Sequence, residues 1–204
     1  MSAFTDARFR GYSLSAGKPV AALDLSYDDP SGLYGALTAS AVANDGVHPL
    51  GIQLNGGYAR RLASGPVLDM GVVHSSYSRY GSRGSAGYTE VYAGATYKFL
   101  SGRIAYSPHY FEAGAQTLYG ELDANVSPAR KLRLDGHVGL LVPLAYRDVG
   151  ESARTQYDWR IGAAREVGPL SLHAILTGGG PGRDYYGGHW HSRTAFVLGL
   201  SCRL

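Results

Sequence analysis

The stretch Ala195-Phe196-Val197-Leu198-Gly199-Leu200-Ser201-Cys202-Arg203-Leu204 decides how this chain is read. Phe196, Leu198, Leu200, Cys202 and Leu204 take every second position, and Ala195, Val197, Gly199, Ser201 and Arg203 fall between them. Successive side chains of a strand point to opposite faces of its sheet, so this stretch has one apolar face and one mixed face. The open question is which solvent, water or hydrocarbon, lies against each.

The same beat of two recurs along the chain. Breaking it at Gly, Pro and Asp clusters predicts twelve strands, at 4–15, 20–28, 33–41, 50–60, 67–75, 87–98, 102–110, 116–126, 131–141, 155–165, 169–177 and 193–204. Helical periodicity never persists, and neither a linker nor a strict repeat interrupts residues 1–204, so one domain is expected. Short turns such as Asp28-Asp29-Pro30-Ser31-Gly32 and Ser127-Pro128-Ala129-Arg130 alternate with longer connections at 42–49, 76–86, 142–154 and 178–192; those at 16–19 and 111–115 are short exceptions. Outer-membrane barrels keep their periplasmic turns short and let the extracellular ones grow. An even strand number with both termini periplasmic puts every short turn of the first kind on one rim.

Sorting residues by face separates charge from apolar bulk. One face carries Ala7 and Phe9, then Leu23 and Leu25, Leu122 and Ala124, Trp159 and Ile161, and the terminal set, with no charge in mid-strand. The other carries Asp6, Arg8, Arg10, Asp24, Asp69, Glu90, Arg103, Glu121, Asp123, Arg133, Asp135, His137, Asp158, Arg160, His173 and Arg203. A soluble sandwich would turn its apolar face into a core, where large branched residues are favoured; here that face is partly Ala and Gly. Lipid outside and charge inside is the better fit. A sheet edge in hydrocarbon would leave backbone groups unpaired at several kcal/mol each, so the sheet must close. The expected fold is an all-β, closed, antiparallel transmembrane β-barrel of about twelve strands with up-and-down topology. Tyr27, Tyr58, Tyr97 and Phe99 fall near the short turns, where an interfacial aromatic girdle belongs.

Composition agrees. Charged residues make up 17% of the 204, against roughly 25% in soluble domains. Mean hydropathy is only −0.13, and no apolar run approaches the length of a transmembrane helix. The formal charge of +3 carries no basic run, so no nucleic-acid partner is expected. The lone Cys202 excludes an internal disulfide and reads as a small hydrophobe on the apolar beat. No signal peptide is visible; for an exported chain, Met1 then stands where a leader has been removed. Leu204 keeps the alternation but lacks the terminal aromatic common in outer-membrane barrels.

The first forty residues carry a more specific signal. Asp6-Ala7-Arg8-Phe9-Arg10-Gly11-Tyr12-Ser13-Leu14-Ser15 and Gly17-Lys18-Pro19 precede Pro30-Ser31-Gly32-Leu33-Tyr34-Gly35. This resembles the opening of a bacterial family of presumed outer-membrane proteins without assigned function. That family reads as a Tyr-Arg-Phe-Arg-Gly stretch followed by Pro-Ser-Gly-Leu/Phe-Tyr-x-Gly, and Ala7 here replaces the usual Tyr. The resemblance implies a porin-like barrel in the outer membrane of Gram-negative bacteria and supplies no catalytic residues.

Inward charges must be paired or hydrated. They either fill the lumen as ion pairs or line a wet passage. Twelve strands enclose more space than a packed eight-stranded barrel and less than a porin of sixteen. Glu121 and Asp123 should approach Arg133, Asp135 and His137 across a hairpin, as a plugging network, a cation site or an acid–base pair, with plugging the plainest reading. His74, Ser75 and Ser76 are adjacent and therefore point apart, and Gly178-Gly179-Gly180-Pro181-Gly182 lacks the Lys-Ser/Thr ending of a phosphate loop. Asp184, Tyr185, Tyr186, His189, Trp190 and His191 form the most ligand-like loop, a candidate recognition surface. The expectation is a narrow channel for small polar solutes or ions. The alternative is an occluded structural barrel whose long loops bind a partner. Neither enzyme, cofactor nor metal is called for; the partners expected are outer-membrane lipid and neighbouring envelope proteins or a second copy.

Overall fold

The computed structural model describes residues 1–78, 85–111, 115–145, 154–181 and 192–203. Its strands are β1 (Ser2–Phe4), β2 (Arg8–Phe9), β3 (Tyr12–Ser13), β4 (Val20–Asp28), β5 (Leu33–Ala43), β6 (Val47–Arg61) and β7 (Val67–Ser78). They continue as β8 (Ser85–Tyr97), β9 (Leu100–Tyr110), β10 (Gln116–Ala129), β11 (Leu132–Ala145), β12 (Gln156–Val167), β13 (Leu170–Gly179) and β14 (Thr194–Cys202). Twelve of these, β1 and β4 to β14, close into an antiparallel barrel in which every chain neighbour is a spatial neighbour. β2 and β3 pair only with each other.

Closure rests on a very short strand. Ser2 and Phe4 pair with Ser201 and Gly199 of β14 on one side and with Ala22 and Val20 of β4 on the other. The Met1 amine adds a hydrogen bond to the Cys202 carbonyl at 3.0 Å. Both described ends of the chain therefore lie on the rim that carries the short turns.

The lipid-facing set stands outside. Leu122 is 62% exposed, Ile161 64% and Phe196 64%, values that a water-facing wall would not spread over so many large apolar residues. Tyr27, Tyr58, Tyr97 and Phe99 are also exposed, on the short-turn rim.

Three local readings are corrected. The predicted strand 4–15 leaves the wall after Phe4 and turns into the barrel. Ala7 and Phe9, expected against lipid, pack on the inside with buried aromatic residues. The turn that allows this is Arg10-Gly11, with φ of 44° and 80°, between the paired Phe9 and Tyr12. The long connection expected at 42–49 is a tight turn at residues 44–46, because β5 and β6 extend to Ala43 and Val47 and Asp45 accepts φ of 49°. Finally, β14 ends at Cys202, so Arg203 lies beyond the strand at the short-turn rim, not on the inward face of the last strand.

An apolar-to-cation change on the outer wall tests which side is lipid. Ile161→Arg, in mid-strand, should cost about 2–4 kcal/mol in a bilayer. Denaturant titration of the reconstituted barrel measures this, and a neutral outcome would place that face in water.

Candidate functional site

Residues 5–19 occupy the lumen as a folded-in hairpin. Tyr12 and Ser15 are fully buried, and Ser13 and Leu14 are buried beside them. Backbone meets backbone at its tip: a β-carbon on Gly11 would lie 2.5 Å from the Gly179 carbonyl carbon, and one on Gly180 would lie 2.6 Å from the Arg10 oxygen. Both glycines also have positive φ, of 80° and 70°, so any side chain there would be strained twice over. Asp6 accepts hydrogen bonds from the Ser13 and Ser15 hydroxyls and pairs with Arg8 Nε at 3.3 Å. Arg8 Nη2 donates to the Ser192 carbonyl at 2.8 Å.

Arg10 is the anchor. Its two Nη atoms donate to the two carboxylate oxygens of Glu90, each at 2.7 Å, and Glu90 is 4% exposed. The guanidinium group lies 3.7 Å from the Tyr119 ring centre and 4.9 Å from that of Phe9. Phe9, Tyr12, Tyr77, Tyr88, Tyr110 and Phe111 contact one another around it, toward the end of the barrel opposite the short turns. The barrel interior thus contains an aromatic cluster as well as charge. Some of these rings share strand parity with the inward charges and others, such as Phe9 and Tyr110, do not: Tyr88, Glu90 and Tyr92 alternate on one face of β8, and Tyr119 and Glu121 do so on β10. Parity could have found Tyr88, Tyr92 and Tyr119.

Below the hairpin lies a cavity of about 500 Å³, lined by Asp6, Arg8, Arg10, Glu90, Arg103, Glu121, His137, Asp158 and Arg160 among others. Arg103 Nη2 donates to Asp69 at 3.1 Å, stands 3.9 Å from Glu121, and covers the Tyr92 ring at 4.2 Å. Asp69 also accepts from the Tyr34 hydroxyl, which meets the hydroxyl of Tyr92; Tyr92 in turn donates to Asn55 at 3.1 Å. Arg160 Nε donates to Asp135 at 3.1 Å, and its Nη2 is 3.8 Å from Asp123. His137 sits between two carboxylates, with Nδ1 2.8 Å from Asp123 and Nε2 3.0 Å from Asp158. Tyr119 donates to Asp158 at 3.0 Å.

The β10–β11 hairpin therefore brings Asp123 to His137, and a single ligand atom from each of Glu121, Asp123 and His137 lies within 4.8 Å of the others. Arg103 and Arg160 flank these carboxylates, so an ion coordinated tightly by these three ligands would stand close to two guanidinium groups.

Arg133 is not part of this group. It faces a vestibule of about 1080 Å³ at the short-turn rim, with Asp24, Arg130, Lys131, Glu166 and Arg203. Ser2 lines both spaces. His173 hydrogen-bonds Ser201 at 2.8 Å, and its ring lies 5.6 Å from that of Phe4. Asp184, Tyr185, Tyr186, His189, Trp190 and His191 lie outside the described residues.

A closed twelve-stranded barrel with an apolar outer wall and charge inside is a transmembrane β-barrel of porin-like architecture. The chain belongs to the family described as "Bacterial protein of unknown function (Gcw_chp)", which matches residues 1–193. No curated protein matches it. Among solved structures it is similar to the NanC porin in a rhombohedral crystal form, with TM-score 0.63 and 12% identity over 100% of this chain and 98% of that one. It is also similar to the KdgM porin in complex with disordered oligogalacturonate, with TM-score 0.60 and 13% identity over 100% and 99% of the two chains. At such identities the likeness is one of fold alone.

Removing one side of the Arg10–Glu90 pair should strand a buried charge. Glu90→Gln is expected to cost about 3–5 kcal/mol, and Arg10→Met added to it should recover much of the loss. Unfolding midpoints of the two single variants and the double variant close the cycle; additive losses would show that the pair does not hold the hairpin.

Proposed function

We propose that residues 1–204 form one outer-membrane barrel domain, with both termini periplasmic, whose lumen is a narrow passage for small polar solutes or ions. The observation that carries this reading is the exposure of inward charge. The side chain of Arg103 is 38% exposed and that of Arg160 44%, inside a closed wall. A lumen sealed by ion pairs would bury such groups, whereas water or a polar solute must stand against these.

The termini on the short-turn rim support a periplasmic placement for that rim, following the usual asymmetry of outer-membrane barrels. The longer connections then face outward, where a neighbouring envelope protein or a second copy would meet them, with Asp184, Tyr185, Tyr186, His189, Trp190 and His191 as the recognition candidates. The Arg8-Phe9-Arg10-Gly11 opening and Pro30-Ser31-Gly32-Leu33-Tyr34 serve as this family's signature in our reading. The role is passage, with the lining charges setting selectivity and no catalytic step. A polyanion of the kind held by KdgM fits this lumen poorly, because Arg8, Arg10, Arg103 and Arg160 each have a carboxylate partner.

One observation favours an occluded barrel instead. The hairpin and its aromatic neighbours are buried at the end of the lumen opposite the short turns, with Tyr12 at 0% and Tyr110 at 1% exposure. Single-channel recording in planar bilayers separates the two readings. The intact chain should give small, discrete currents, and replacing residues 6–18 by a short Gly-Ser linker should enlarge them. This replacement is geometrically simple because Phe4 and Val20 already pair. Silence from the intact chain together with large currents from the shortened one would establish the hairpin as a plug and the barrel as closed.

A further inference from the structure

Fixed charge in the lumen changes sign along the barrel axis. The inward face of β11 displays the change directly: Arg133 lines the vestibule, while Asp135 and His137, the next two residues of that face, belong to the ion-pair network of the chamber. Around the vestibule, Arg130, Lys131, Arg133 and Arg203 outnumber Asp24 and Glu166. In the chamber the balance is opposite. Among the described residues, the ion-pair network above the vestibule sets the four guanidinium groups against seven carboxylates: Asp6, Glu90, Glu121 and Asp158 line the cavity itself, and Asp69, Asp123 and Asp135 complete the network, so that a charged imidazole at His137 would still leave the network acidic.

We propose that the passage is bipolar, holding small anions in the vestibule and small cations in the chamber, and that it therefore rectifies ionic current. This rests on the channel reading and deepens it. The physical cause is mobile-ion supply. Wall charges act on an ion over about one Debye length, ~10 Å at 0.1 M salt, which matters most in a narrow lumen with low-dielectric walls. A voltage negative on the short-turn side drives chamber cations and vestibule anions toward each other, filling the junction between the two regions with carriers. The reverse voltage draws both populations away and depletes it. No side chain needs to move, so the asymmetry is present from the first instant of a voltage step.

The test is the current–voltage curve of single inserted channels in symmetric potassium chloride. Currents at equal and opposite voltages should differ about twofold or more at 0.1 M salt and converge at about 1 M, where the Debye length falls to ~3 Å. Arg130→Glu combined with Lys131→Glu changes two exposed turn residues, so the barrel should still fold, and makes the vestibule acidic; the difference should vanish. Equal currents of the intact protein at low salt would overturn bipolarity while leaving the channel standing, as would rectification that survives the double substitution. Absence of any current would overturn the channel and this proposal together.

Discussion

Hydrocarbon tolerates no unpaired backbone, and here that requirement is met at its narrowest point by three residues. Ser2, Ala3 and Phe4 carry hydrogen bonds to β14 on one side and to β4 on the other, joining the two ends of an otherwise continuous meander. Without them β14 and β4 would each present an open edge to lipid, at several kcal/mol for every exposed N–H or C=O. The outward apolar band, the inward charge and the enclosed chamber all presuppose this seam. Its strength comes from placement rather than area, since the neighbouring hairpins supply nearly all of the sheet.

The brevity of β1 also determines what fills the barrel. Because the wall strand stops at Phe4, the next fifteen residues are free to enter the lumen, and they bring Asp6, Arg8 and Arg10 with them. A full-length first strand would have held those three charges in the wall, spaced along one face. Folded in, they reach further: Arg10 meets Glu90 on β8, and Arg8 meets the carbonyl of Ser192. The aromatic cluster becomes intelligible in the same way. Rings on the inward faces of β7, β8 and β9 would have nothing apolar to pack against in an empty lumen; Phe9, Tyr12 and Leu14 supply that surface.

The wall was legible from residue alternation because period two survives in every strand that faces lipid on one side and polar groups on the other. Asp123 and His137 could be expected to meet because consecutive hairpin strands leave little choice of partner, and register places them opposite each other. The inward hairpin was not legible. Residues 4–15 keep an alternating pattern through the turn, and only Gly11 hints at a reversal, its neighbour Arg10 adopting positive φ without a side chain that favours it. The length of the turn after β5 was hidden for a similar reason: Val42, Ala43, Val47 and His48 read as loop by composition, yet they pair across a tight Asn-Asp-Gly bend. Arg133 separates from its expected cluster because two residues along a strand shift a side chain by about 7 Å, enough to move it from chamber to mouth.

The hairpin is tethered at both ends to the wall, by β1 and by β4, and this bears on the order of assembly. A segment bounded by two wall strands cannot cross the hydrogen-bonded sheet once the seam has formed; the side on which it then lies is the side on which it stays. Residues 5–19 must therefore be on the concave side of the curling sheet when β1 meets β14, although these two strands come from opposite ends of the chain. Enclosure and filling become a single late event, set by the most distant contact in the sequence, and a misplaced hairpin would be locked into the lipid by the same bonds that complete the barrel.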